Sequence, residues 1–74
     1  MVRDTDIKLL DVVALIRDLP DMGLVRGDVG AVVEVLEPDV FEIEFAGADG
    51  KTYAQAALPA GDLLLLRFDP RQAA

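Results

Sequence analysis

The sequence predicts an all-β fold, a small closed or nearly closed barrel of about five short antiparallel strands. The main observation is a hairpin over residues 27–45, where apolar side chains recur at every second position of both arms. The chain length of 74 residues allows one domain, with a core over about residues 8–68 and short flexible tails. Turns that contain Gly, Pro or Asp separate the other short apolar runs.

The first strand precedes residue 20. Leu9, Val12, Val13 and Ile16 are spaced as on one face of a helix, yet three of these four are β-branched and no capping box precedes them. The sequence therefore favours a strand over residues 12–18, and a partly helical segment stays open as the alternative. Pro20 and Gly23 favour a turn directly after it.

Four further strands are predicted at residues 29–36, 40–46, 52–58 and 63–66. Pro38 ends the first of them, because proline has no N–H to donate to a ladder. An Asp-Gly pair predicts a hairpin loop at residues 47–50, and residues 59–62 predict a turn that includes a 3₁₀ turn. The run Leu63–Leu66 is apolar on both faces, which suits a strand that closes the barrel and contacts a tail or a second copy outside.

The hairpin register places carboxylates on the outer face. The first arm is expected to bury the side chains at every second position, Val29, Ala31, Val33 and Val35. Pairing of Val33 with Ile43 then puts Glu34 opposite Glu42, and like charges there cost up to about 1 kcal/mol. A slip by one residue would bury the glutamates instead.

The second hairpin extends the outer face. A loop at residues 47–50 pairs Phe45 with Thr52 and sets Tyr53 beside Glu44, with Gln55 beside Glu42. An aromatic ring flanked by carboxylates suits the side chain of Arg or Lys. The candidate partner-binding residues are therefore Glu34, Glu42, Glu44, Tyr53 and Gln55. The alternative is a solvated outer face that carries one amphipathic tyrosine.

The charge balance indicates the kind of partner. Seven basic and fourteen acidic side chains give a net charge of −7, which disfavours nucleic acid and attracts a basic protein. The alternative is that acidity only keeps a small apolar domain in solution. The hydrophobic fraction of 53% favours a homodimer or a bound partner. Since no apolar run reaches the roughly 20 residues of a membrane helix and no signal peptide is visible, we expect a cytoplasmic protein without membrane contact.

The chain lacks the usual catalytic side chains. It contains no His, Cys, Ser, Asn or Trp, so the commonest nucleophiles and general bases are missing, as are disulfides and the usual zinc sites. The carboxylates show no calcium-loop spacing. We therefore expect no catalytic residue, no cofactor and no metal site.

Seven short motifs along the chain form a recognisable set: Leu9–Leu15, Asp18–Pro20, Gly23–Leu24, Arg26–Gly30, Phe41–Phe45, Gly50–Ala54 and Leu58–Pro59. Together they resemble one bacterial family, catalogued as domain of unknown function 4926. The resemblance covers about residues 8–66 and implies an SH3-like barrel with a strand at its N-terminus. Short members of the family look like accessory or antitoxin-type proteins, and no catalytic residue carries over. The turn and strand at residues 27–33 also resemble those of KOW-type nucleic-acid-binding barrels.

Three functional hypotheses follow from the sequence. The first is a non-enzymatic module that binds a basic partner protein, such as a toxin or an enzyme, through the acidic strand face. The second is a KOW-like nucleic-acid binder, which the net charge of −7 disfavours. The third is a self-associating structural domain held together at the Leu63–Leu66 edge.

Overall fold

A computed structural model describes residues 7–66, which form an all-β domain. Its strands are β1 (Val12–Leu15), β2 (Val29–Glu37), β3 (Val40–Ala46), β4 (Thr52–Pro59) and β5 (Leu63–Leu65). Two 3₁₀ helices of three residues each, Pro20–Met22 and Ala60–Asp62, precede β2 and β5. In this part of the chain no helix has the length and apolarity needed to cross a membrane. The tails that the sequence predicts lie outside the described residues.

The five strands form one antiparallel sheet in the order β4-β3-β2-β1-β5. The long strand β2 joins the two halves, because it pairs with β1 near its start and with β3 along most of its length. The all-β class and the five antiparallel strands are thus confirmed. Within residues 7–66 the outer strands β4 and β5 have no pairing with each other, so closure into an SH3-like barrel stays a prediction.

The N-terminal segment is a strand, as predicted, but it is shorter than residues 12–18. After β1 the Leu15 carbonyl accepts a hydrogen bond from Gly27 N at 2.8 Å, and Gly27 has a φ of 94°. The chain then leaves the ladder and turns through the 3₁₀ helix Pro20–Met22, which a bridge between Leu19 and Leu24 encloses. The prediction of strand beyond Leu15 is therefore wrong, since the partner strand β2 begins only at Val29.

Strand β3 supplies the centre of the core. Phe41, Ile43 and Phe45 are buried, and the alternating Glu42 and Glu44 are partly exposed, which confirms the period of two predicted for this arm. Buried residues from every other strand pack against this strand's inner face, among them Val13, Leu15, Val32, Leu58 and Leu63.

The predicted inner face of β2 is wrong in its first half. A β-bulge lies between Val32 and Glu34, so Val32 pairs with Ile43 and is 0% exposed, whereas Val33 is 38% exposed. Because an extra residue reverses the faces on one side of a bulge, Val29 and Ala31 also face outward. The partner of Glu44 is accordingly Ala31, where the unbulged register places Val32.

Beyond the bulge the predicted register holds. Glu34 lies opposite Glu42, and Val35 lies opposite Phe41, as expected. A second irregularity follows between Val35 and Glu37, and Val35 is 47% exposed. The prediction that Val35 is buried is therefore wrong, although its partner Phe41 is correctly identified.

The predicted register of the second hairpin is displaced by two residues. Gly47 N donates to the Lys51 carbonyl at 3.0 Å, which closes the loop one residue later than expected. A bulge next to Phe45 adds the second residue, so that Phe45 pairs with Ala54 where Thr52 was predicted. A displacement by two residues keeps each side chain on its face. From Ala54 onward the inward and outward positions of β4 are therefore those expected, although the individual neighbours are not. Thr52 was predicted to face inward opposite Phe45, and this is wrong, because the bulge places it opposite the exposed Ala46.

We expect Gly30→Ala to destabilise the domain by about 1–3 kcal/mol, the usual cost of overpacking. A methyl group at Gly30 would lie 2.7 Å from Ile43 Cγ2 and 2.8 Å from the Glu44 carbonyl oxygen. Chemical denaturation measures the change. The matched control is Gly61→Ala, where the methyl group meets no atom within 4 Å. Equal stability of the two variants would contradict the close approach.

The bulge predicts that two neighbouring substitutions lower the free energy of unfolding by unequal amounts. Val32→Ala removes about two methylene equivalents from the core and is expected to cost about 1.5–3 kcal/mol, while Val33→Ala at the exposed bulge position stays within about 0.5 kcal/mol. Urea denaturation of both variants checks the register. The opposite order of stabilities would contradict the bulge and support the unbulged pairing.

Candidate functional site

The structure brings four of the five predicted site residues together on the outer face of the sheet. Glu34 of β2 and Glu42 of β3 are cross-strand partners, and Glu44 follows two residues later on the same face of β3. Gln55 of β4 lies opposite Glu44. We call this set, Glu34, Glu42, Glu44 and Gln55, the acidic patch.

Tyr53 does not join the acidic patch in the way the sequence predicted. The bulge in β4 makes it the extra residue between the pairs of Ala54 and Thr52, so it has no place opposite Glu44. Its ring centroid lies 6.5 Å from that of the buried Phe45, at an angle of 45°. The phenol therefore packs partly against the core, while 53% of the residue remains exposed.

The neighbours of the glutamates change accordingly. Gln55 was expected beside Glu42, and it lies beside Glu44 instead. The residue opposite Glu42 on β4 is Ala57, which is small and exposed. Glu42 therefore has a carboxylate on one side and a methyl group on the other.

The salt bridges of the described residues do not neutralise the negative charge of the acidic patch. The salt bridges within residues 7–66 are Lys8–Asp11, at 3.9 Å, and Arg17–Asp62, at 2.8 Å. The hydrogen bonds to Asp62 and its charge raise the pKa of Arg17 above its ordinary value, and both guanidinium contacts go to that one carboxylate. Neither pair includes a glutamate of the patch. The outer faces of β2 and β3 therefore carry unbalanced negative charge within this part of the chain.

An apolar depression of about 270 Å³ lies next to the acidic patch on the same face. It spans three strands and is lined by Val12, Val29, Gly30, Ala31, Glu44 and Ala46. Three of these residues are small, Gly30, Ala31 and Ala46, which leaves space above the strands. Glu44 belongs to both features, since it contributes to the patch and to the rim of the depression.

Sequence reasoning missed this depression. The unbulged register turned Val29 and Ala31 into the core, where they could not line an outer surface. The available signal was Gly30, since a glycine inside a strand often marks a bulge or a close approach of backbone.

Exposed leucines continue the apolar surface beyond the depression. Leu64 of β5 pairs with Ala14, and Leu66 N donates to the Val12 carbonyl at 3.0 Å. Leu64 is 53% exposed, whereas its neighbour Leu63 is buried. The outer face thus changes from apolar at β5, β1 and the start of β2 to acidic along β3.

The chemistry available at this site is limited to carboxylates, one amide and apolar carbon. No three of the described acidic residues are grouped so that they could hold a metal ion. In the same part of the chain no buried side-chain nitrogen or oxygen lacks a hydrogen-bond partner. The arrangement can attract and hold a cationic, partly apolar group.

A comparison with protein families agrees with the resemblance seen in the sequence. The family described as domain of unknown function (DUF4926) matches residues 9–65. No curated protein and no solved structure matches the chain. The family match spans β1 to β5 and so includes the acidic patch and the depression. Because it covers well over half of the sequence, the chain belongs to the DUF4926 family.

Proposed function

We propose that this domain is a non-catalytic protein-binding module that holds a basic partner through its acidic patch. The observation that carries the proposal is the direct opposition of Glu34 and Glu42, neither of which forms a salt bridge among residues 7–66. Like charges in this position destabilise the free sheet. A lysine or arginine of a partner would convert that repulsion into attraction on binding.

The overall charge supports the same class of partner. A net charge of −7 steers basic proteins toward the domain and repels nucleic acid, which disfavours the KOW-like alternative. The specific form of the proposal is a bacterial, cytoplasmic antitoxin-type or accessory protein whose partner is a basic toxin or enzyme. It rests on the family resemblance and on the acidity of the patch.

Self-association is the second candidate function. It is favoured by the position of β5 at the edge of the sheet, where Leu64 is exposed and no charged residue interrupts Leu63–Leu66. Sedimentation velocity over a range of concentrations tests it. Sedimentation as a monomer at the highest concentration would remove this candidate.

We expect Glu34→Gln to stabilise the free domain by up to about 1 kcal/mol, because it removes one of two opposed like charges. Chemical denaturation at low ionic strength measures the gain, which should shrink at high salt as screening increases. Glu37→Gln is the matched control, since Glu37 lies on the same strand opposite the uncharged Val40. Equal effects of the two substitutions would contradict the repulsion between Glu34 and Glu42.

Charge reversal tests the proposed function itself. Fluorescently labelled hexalysine serves as a basic probe, and we expect Glu34→Lys with Glu42→Lys to weaken its binding about tenfold at low salt. The control, Asp21→Lys with Asp39→Lys, changes the net charge equally at two exposed positions outside the patch. Thermal unfolding confirms that each variant is folded. An equal loss in both variants, or no binding by the wild type, would refute a localised binding face.

A further inference from the structure

We propose that the depression on β1, β2 and β3 receives one arginine side chain of the partner protein, with its guanidinium at Glu44. This inference rests on the proposed function, since it assigns the anchor residue of the same binding face. The aliphatic stem of the arginine lies against Val12, Val29 and Ala31, which line the depression.

The size of the depression favours a single side chain. Its volume of about 270 Å³ is open on one side, and pockets for small-molecule ligands usually measure about 300–1,000 Å³ and enclose the ligand. Three of the lining residues are small, Gly30, Ala31 and Ala46, so a narrow unbranched chain can lie close to the backbone. We call this open depression the slot.

The lining of the depression combines apolar and acidic residues. Valine and alanine supply the carbon surface, and the partly exposed Glu44 is the one acidic residue among them. A ligand that matches both must combine an apolar stem with a cationic head, as Lys and Arg do. A guanidinium is more weakly hydrated than an ammonium and binds a carboxylate through two parallel hydrogen bonds, so the partly buried Glu44 favours arginine over lysine.

The surface around the slot also suits the partner residues on either side of the arginine. On the β5 side the exposed Leu64 and Leu66 continue the apolar surface, and on the other side Glu42 and Gln55 continue the acidic patch. The partner segment that carries the arginine therefore presents apolar side chains toward β5 and further basic side chains toward β3. A second copy of this chain matches the apolar half alone, because its own net charge is −7.

The test uses two short peptides that differ only in charge. The ¹⁵N-labelled domain is titrated with acetyl-Gly-Gly-Arg-Gly-Gly-amide, and with the same peptide in which neutral citrulline replaces arginine. We expect the arginine peptide to shift the amide resonances of Val12, Val29, Ala31, Glu44 and Ala46, and to bind about fivefold more tightly than the citrulline peptide. Equal affinity of the two peptides, or shifts elsewhere on the domain, would overturn the inference.

Two substitutions separate the slot from the charge beside it. Ala46→Leu fills the slot and retains every charge, and Glu44→Gln retains the shape and removes the carboxylate. Each is expected to weaken the arginine peptide about fivefold. Ala57→Leu is the control, because Ala57 lies on the same outer face opposite Glu42 and does not line the slot. Wild-type affinity in both slot variants would overturn the proposal, and so would an equal loss in the control.

Hexalysine distinguishes failure of the slot from failure of the binding face. In one outcome, hexalysine binds the wild type and binds more weakly after charge reversal of Glu34 and Glu42, while Ala46→Leu and Glu44→Gln leave the affinity for the arginine peptide unchanged. This outcome supports the acidic binding face and refutes the slot. If hexalysine does not bind, both proposals fail together. Concentration-dependent shifts of the slot residues without any peptide would show that a second copy occupies the slot, which also overturns the arginine assignment.

Discussion

The close approach of β2 to β3 at Gly30 is the constraint on which the rest of the structure depends. No side chain larger than hydrogen fits there, because a methyl group would lie 2.7 Å from Ile43 Cγ2 and 2.8 Å from the Glu44 carbonyl oxygen. This contact seats the buried Phe45 directly opposite a glycine. Strand β1 then pairs with the same segment of β2, so the contact locates three of the five strands.

The bulge at Val33 allows the close contact at Gly30 and the pairing of the rest of the hairpin to exist in the same ladder. Directly on its C-terminal side, before the second irregularity, the pairs Glu34–Glu42 and Val35–Phe41 are those of an unbulged ladder. On its N-terminal side the faces are reversed, so that Val32 enters the core and Val29 and Ala31 turn outward. A single inserted residue thereby creates both the buried contact of β2 and the apolar depression on its other face. Bulges often lie next to functional sites for this reason, since they redirect side chains without breaking the sheet.

The outer face combines features that contribute little to the stability of the isolated domain. Opposed glutamates repel each other, and exposed leucine and valine side chains leave apolar area in water. The core does not require either feature, because its buried side chains come from the inner positions of the strands. The proposed contact with a partner depends on these two features.

The sequence by itself determined the all-β class, the five strands, the inner face of β3 and the acidic character of its outer face. Each of these follows from local alternation and turn residues, which act over a few positions. Only the tertiary structure decided where the ladder gains an extra residue and which side of the first half of β2 is buried. It also decided that Gln55 lies beside Glu44, because Tyr53 occupies a bulge in β4. These features depend on which residues fit against Ile43 and Phe45 across the sheet. A single added residue reverses every face beyond it, so the pattern along one strand does not contain this information.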